Sequence, residues 1–363
     1  MRALFLGDLC PTADNAHLFV QGDIDTLFCD TSTLFARNDM AMVNLECALT
    51  ESEAPIEKIG PALKAPPAAA KVMRRVGITH CSLANNHFFD FGKKGAADTR
   101  AALDAAGIGY TGFGENVEDS RRNLVIEQNG TRLCVIAVCE HEYSYALADR
   151  AGCRPFDPFR TPLDVRAAKE KYDRVVVLYH GGKEQCEYPS PRLYDACHAM
   201  AESGADLILC QHSHCIGCYE QYAGCHILYG QGNFHFAKFA YAETPGWNDC
   251  LAVEYDTATN NVYFTPITAV GDGGMRLCTK EEANALLAAF AARNAKLADG
   301  TWKEGWRDFC ESMRDVYTRA VALACTPDCE QKRIEKFAHY LDCEAHTDVW
   351  RELFQTNNHR NEK

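Results

Sequence analysis

Two short apolar runs in this chain stop at histidine. Val175–Tyr179 ends in His180, and Ala205–Leu209 leads through Cys210 and Gln211 into His212-Ser213-His214. Runs of this kind read as buried strands. In open α/β sheets, ligands collect beyond the carboxyl ends of the strands. Imidazoles delivered there suit a metal, because neutral imidazole is the commonest protein ligand for Zn, Mn and Fe. The two runs therefore predict an α/β fold with a site at one sheet edge.

The rest of the chain fits that frame. Short apolar runs alternate with helical patterns, the signature of layered α/β architecture. The expected strands are Arg2–Leu6, Met40–Asn44, Thr79–Leu83, Leu124–Glu127, Arg132–Val138, Arg174–Tyr179, Ala205–Leu209, His226–Tyr229, Leu251–Asp256 and Val262–Thr268. Helices are expected over Pro67–Val76, stopped by Gly77, and over Gly95–Ala106, stopped by Gly107. Another starts at Ser190-Pro191, an N-cap followed by proline at the first helical position. From about Lys280 onward no strand signal remains. Trp302, Trp306, Phe309, Met313, Val316 and Tyr317 form one helical stripe. Thr326-Pro327 is expected to start a helix carrying Ile334, Phe337, Ala338 and Leu341 on one face. Val349, Trp350, Leu353 and Phe354 suggest a third helix, and these aromatic stripes read as core packing. The expected organisation is residues 1–275 as an α/β unit and 276–363 as a helical extension, with the polar end Thr356–Lys363 frayed.

Composition narrows the partners. A net charge of −13 with no basic run argues against nucleic acid or an anionic membrane. It leaves an anionic small molecule or polymer as substrate, since a metal can supply local positive charge. The start, Met1 to Asp8, is too short an apolar run for a signal or a span, and no later segment is long enough. The expected location is cytoplasmic. The 19 cysteines often sit on apolar runs, where a reduced thiol packs as a small hydrophobe. Cys215-Ile-Gly-Cys218 is a lone C-x-x-C and weak evidence for metal or redox use.

Three more segments share the strand-then-ligand design: Gly7-Asp8, Asn44-Leu45-Glu46, and Ala84-Asn85-Asn86-His87 with Asp90 and Gly92. Each alone is weak or moderate, because Asp and Asn are common where strands turn. Carboxylate, amide and imidazole together suit a borderline-hard divalent ion. With His180, Glu184 and Pro189, Gly204-Ala205-Asp206, His212-Ser213-His214 and Tyr229-Gly-Gln-Gly-Asn-Phe234, these segments resemble the CapA family. That family comprises the poly-γ-glutamate capsule biosynthesis proteins, within the calcineurin-like metallophosphoesterase superfamily. The resemblance runs in order through roughly residues 1 to 270.

The resemblance implies a four-layer α/β/β/α sandwich with one or two divalent metal ions (Mn, Fe or Zn) at one end. It places Asp8, Glu46 and His214 on one metal. Glu46, Asn86, His180 and His212 fall on the other. His87 would be general acid or transition-state stabiliser, oriented by Asp90. Asn44, Asn85, Glu184 and Asn233 would support ligands or face substrate. The implied chemistry is metal-dependent, phosphoesterase-type hydrolysis; the alternative is a non-catalytic capsule accessory protein that binds polyglutamate or a synthase. Where the superfamily has Asp-x-His, this chain has Cys10, which reads as a further candidate ligand or, at least equally, as a buried thiol. Where the family has His-Trp-Gly-x-Glu, it has His180-Gly181-Gly182-Lys183-Glu184, which suggests extra space beside the metal.

Glu140-His141-Glu142 follows a strand and reads as a rim segment or, slightly better, a solvated turn. Lys183 and Arg192 read equally as substrate contacts or as exposed charge. His17, His198, His226, His235, His339, His346 and His359 have no partner pattern and read as structural or surface residues.

Overall fold

The structure is a computed structural model that describes residues 1–12, 14–140, 143–236, 244–271, 273–327 and 329–355. His141, Glu142, His359 and the 356–363 end lie outside the described residues.

Two sheets face each other. The first has seven strands in the order Gly274–Leu277, Asn261–Val270, Asp249–Asp256, Arg2–Leu9, Met40–Leu45, His80–Ser82 and Gly109–Thr111. The second has six, in the order Tyr219–Tyr222, Cys225–Leu228, Leu207–Gln211, Arg174–His180, Thr131–Cys139 and Leu124–Gln128. In the first sheet the four strands from Arg2–Leu9 to Gly109–Thr111 run parallel and the other three join antiparallel; in the second, four central strands run parallel and each edge strand pairs antiparallel.

Side-chain alternation in the second sheet explains the layering. Val135, Ala137, Val176, Leu178, Leu207 and Leu209 join the core shared with the first sheet. Ile136, Val138, Val175, Val177, Tyr179 and Ile208 belong to a separate outer core. Leu193, Cys197 and Met200, from the helix Pro191–Glu202, close that outer core. Because these strands are buried on both faces from Leu133, Val175 and Leu207 onward, the sequence shows continuous apolar runs. Ala69–Val76 and Gly92–Ala106, each ended by a left-handed glycine, lie on the far side of the first sheet. The architecture is the α/β/β/α sandwich.

The C-terminal helices Lys280–Asp299, Trp302–Ser312, Arg314–Ala324, Gln331–Asp342 and Glu344–Leu353 follow the last strand. Trp302, Trp306, Tyr317, Tyr340, Val349 and Leu353 are buried in the outer core. Three expectations fail here. The aromatic stripe expected on one helix is split at Met313 between two. The helix expected from Thr326 begins at Gln331, and its Ile334 and Leu341 are exposed. Phe354, placed with the buried face of the last helix, is also exposed. The strand expected at Ala205–Leu209 runs Leu207–Gln211, which brings its end two residues closer to the histidines.

All 19 cysteines are free, and only Cys325 is exposed. Burial pushes the Cys215 thiol up to about 12, against thiolate chemistry at the C-x-x-C pair. No helix among the described residues is long and apolar enough to cross a membrane.

Candidate metal centre

Both sheets deliver ligand-type side chains at the same end. The first contributes Asp8, Asn44, Glu46 and, beyond His80–Ser82, the Asn85-Asn86-His87 turn. The second contributes His180 at the end of its strand and His212 just past the next. Backbone packing fixes the first of these. A side chain at Gly7 would strike Gly232 O, so only glycine lets the 229–234 loop lie against the strand. Asp8 N then donates to Gly232 O at 3.2 Å, and Phe234 N to Asp8 O at 2.7 Å. His212 and His214 both hold positive φ, 88° and 54°. Left-handed backbone is costly for residues with a side chain and collects at functional sites.

Asparagines set the ligands in place. Asn85 Nδ2 donates to Asn44 Oδ1 (3.0 Å) and Leu45 O (2.9 Å). Its Oδ1 accepts from the backbone N–H of His87 and Phe88. The Asn44 amide reaches Asp8 Oδ1 at 2.7 Å and His180 Nδ1 at 3.0 Å. Asp8 Oδ2 accepts from His212 N at 3.1 Å. His214 Nδ1 lies 2.8 Å from Asn233 Oδ1, which can only accept, so that nitrogen carries a proton and it is Nε2 whose lone pair is free in the neutral ring.

Glu46 stands at the centre. It is fully buried, and neither of its oxygens has a hydrogen-bond partner among the described residues. His180 Nε2 lies 3.4 Å and His214 Nε2 3.9 Å from its Oε1. It belongs to two groups whose ligand atoms lie within 4.8 Å of one another: Asp8, Glu46 and His180, and Glu46, His212 and His214. A buried carboxylate with no donor is costly unless something positive sits beside it. Burial, then the Asp8 carboxylate, push the Glu46 pKa well up, opposed by His214. Burial holds His180 down at about 3 and His212 well below its ordinary value, so these rings are neutral and able to ligate. For His214, burial is outweighed by Glu46 and Asp8, and its pKa rises. His180 Nε2 is 2.8 Å from Asn86 Oδ1, and His212 Nδ1 is buried without a partner among the described residues. The donor set fits one or two divalent cations.

His87 faces the same space. Its Nδ1 lies 2.7 Å from Asp90 Oδ2. Asp90 also accepts from Lys58 Nζ at 2.5 Å and Leu63 N at 2.7 Å. Burial first, then the Lys58 ammonium, lower the His87 pKa to about 4 in spite of Asp90. Lys58 is a buried site residue that sequence reasoning missed. It sits in a loop with no periodic pattern, and only its partner Asp90 belongs to a motif.

Other candidates land elsewhere. Cys10 is in the inner core with its thiol beside Cys47, in neither carboxylate–histidine group. Gly181 gives the metal no extra room, because the Glu140 carboxyl fills the space a side chain there would need. Glu140 is no solvated turn: it is buried, accepts from Gly182 N at 2.8 Å and pairs with Arg192 at 2.5 Å. Arg192 is thereby withdrawn from substrate, and it also meets Asp348 at 2.9 Å. Glu184 and Lys183 line a cavity of about 380 Å³ in front of Asn86, His87 and His212. His339 and His346, read as structural or surface residues, line it too.

A family of known proteins shares this chain's pattern. Residues 2–238 match the family described as bacterial capsule synthesis protein PGA_cap. The capsule biosynthesis protein CapA of Bacillus anthracis is 31% identical over 207 residues, covering 54% of this chain and 49% of that protein. The PGA biosynthesis protein CapA of Bacillus subtilis is 25% identical over 282 residues, covering 74% of this chain and 71% of that protein. This chain thus spans about half the length of the first relative. A solved structure described as a novel phosphatase from Mycoplasma pneumoniae is 14% identical, with a TM-score of 0.46 over 74% of this chain and 93% of that one. With its family match covering 237 of 363 residues (2 to 238), the chain belongs to the bacterial capsule synthesis protein PGA_cap family.

Proposed function

We propose that this chain is a metal-dependent hydrolase of phosphoesterase type, acting on an anionic substrate in capsule or polyglutamate metabolism. The observation that carries the reading is Glu46, a buried carboxylate without a hydrogen-bond donor that two histidine-bearing groups share. Asp8, Glu46 and His214 would hold one ion; Glu46, Asn86, His180 and His212 would hold a second. Bound divalent ions (Mn, Fe or Zn) would supply charge neutralisation and water activation.

The protein's own groups do the rest. Asp90 holds the His87 ring through Nδ1, so Nε2 is the atom offered to the leaving group. Asn44, Asn85 and Asn233 fix ligand orientation. Lys58 keeps Asp90 paired and sets the protonation balance of His87. The same lysine favours a second reading, a non-catalytic accessory that binds polyglutamate, because a neutral His87 is a poor proton donor.

The test is elemental mass spectrometry of metal together with hydrolysis of bis-p-nitrophenyl phosphate. One or two equivalents of metal, turnover, and a His87→Ala variant that keeps metal but loses turnover are the expected results. A metal-loaded protein inert on phosphate esters that binds polyglutamate would establish the accessory reading instead.

A further inference from the structure

The cavity before the metal centre has a second wall, built from the C-terminal helices. Tyr317 comes from Arg314–Ala324, Lys336 from Gln331–Asp342 and His346 from Glu344–Leu353. They share the roughly 380 Å³ space with His87, His212 and Lys183. All three lie beyond residue 238, where the family match ends.

This wall is ordered toward an acceptor. Tyr317 Oη lies 2.5 Å from His346 Nδ1. A phenol is the stronger donor and an imidazole nitrogen the stronger acceptor, so the tyrosine donates. Burial, reinforced by Lys183, lowers the His346 pKa to about 2, so the ring is neutral. Its single proton is then on Nε2, which has no partner among the described residues. Tyr340 stacks on the ring at 4.3 Å and 25°, fixing its plane. Lys183 and Lys336 have no carboxylate within ion-pair distance among the described residues, although the chain carries net charge −13. Among the described residues, Glu184 is the one acid lining the cavity.

We propose that the C-terminal helices form the recognition wall of this site. In this assignment Lys183, Lys336 and the His346 Nε2–H bind a second anionic group of the substrate, set apart from the bond that is broken. The reactive half of this statement rests on the hydrolase reading; the binding half does not.

The test uses the full, metal-loaded chain and two synthetic esters, ethyl p-nitrophenyl phosphate and its carboxymethyl counterpart, which differ by a distal carboxylate. Wild type is expected to show about tenfold lower KM for the carboxymethyl ester, the scale of one charge-assisted hydrogen bond. Lys336→Ala and His346→Gln should each erase most of that preference while leaving metal content and kcat for the ethyl ester unchanged. Lys336 is exposed, so its removal is compatible with folding. Retention of the preference in both variants overturns the proposal and leaves the hydrolase reading standing. If wild type hydrolyses neither ester, the hydrolase reading falls. Calorimetry with tri-γ-glutamate then decides the wall: about tenfold weaker binding in the variants supports it, and equal or absent binding overturns it.

Discussion

The two walls of the cavity are made by different rules. On one, each candidate ligand stands at or just past the end of a buried strand, and an asparagine or a glycine helps fix the exit. On the other, Tyr317, Lys336 and His346 sit inside helices, with no turn and no motif to mark them. Chemistry that needs several atoms within a few ångströms is anchored to strand ends, which two rigid sheets position. Recognition at longer range is left to helix faces, which change without disturbing the ligands.

The sharpest way to break this comparison is Glu46→Gln. If the strand ends alone hold the metals, this change should lower metal affinity by at least 100-fold and abolish turnover. It should also raise the thermal midpoint of the metal-free protein at pH 8, because a buried unpaired carboxylate costs on the order of 1–3 kcal/mol. Unchanged metal stoichiometry would show that the helical wall contributes ligands. The pH dependence follows in the same direction. Burial and Asp8 raise the Glu46 pKa, and, against burial, Glu46 and Asp8 raise that of His214, so metal competes with protons at both groups. Metal affinity should therefore rise with pH, with proton release seen by calorimetry in buffers of different ionisation enthalpy. For Glu46 the sign for stability is opposite. A raised folded pKa gives stability that is full below pH about 4.5 and lost as pH rises through the folded value. Metal rescue of thermal stability should thus be greatest at high pH.

The second prediction concerns how the walls are joined. Arg192 pairs with Glu140, which accepts from Gly182 two residues after His180, and with Asp348 on the last helix. Ser190 also donates to Asp348 at 2.6 Å. One guanidinium serves two carboxylates unequally. The Glu140 pKa is lowered by Arg192 despite burial, whereas burial pushes Asp348 up to about 6. Arg192→Met leaves buried Glu140 without a cation among the described residues, while Asp348 keeps Arg351 and Ser190, and should cost about 3 kcal/mol in chemical denaturation. A loss below about 1 kcal/mol would mean that apolar packing alone docks the extension.

The contrast also explains what the sequence made legible. His180, Glu46 and Asp8 could be read because a buried strand leaves a continuous apolar run and its end is visible. Tyr317 was read as core, and it is wholly buried, yet its hydroxyl serves the cavity. A helical stripe reports which face is inward, not what lies there. Arg192 reads equally as substrate contact or exposed charge, and Glu140 as rim or solvated turn, because their pairing across 52 positions leaves no local trace. Lys58 was invisible for the same reason: its meaning comes from Asp90, 32 residues away.

The smallest expected effect is the most discriminating. Lys58 lowers the His87 pKa, and the hydrogen bond to Asp90 raises it. Lys58→Met removes one depressing charge and leaves His87 as the remaining side-chain partner of Asp90, so the His87 pKa should rise by about one unit, or roughly 1.4 kcal/mol. Two pH profiles are then distinguishable. If His87 donates a proton, activity requires the imidazolium, and the limb where kcat/KM falls with rising pH moves to higher pH. If His87 acts only as a neutral ring, activity is lost as pH falls through its pKa, and that limb also moves up, so the variant is weaker in mild acid. Direct titration of the His87 ring by NMR supplies the pKa independently of turnover. A ring pKa that does not move would show that Lys58 only anchors its loop through Asp90, leaving the proton balance of the strand-end wall to burial and Asp90.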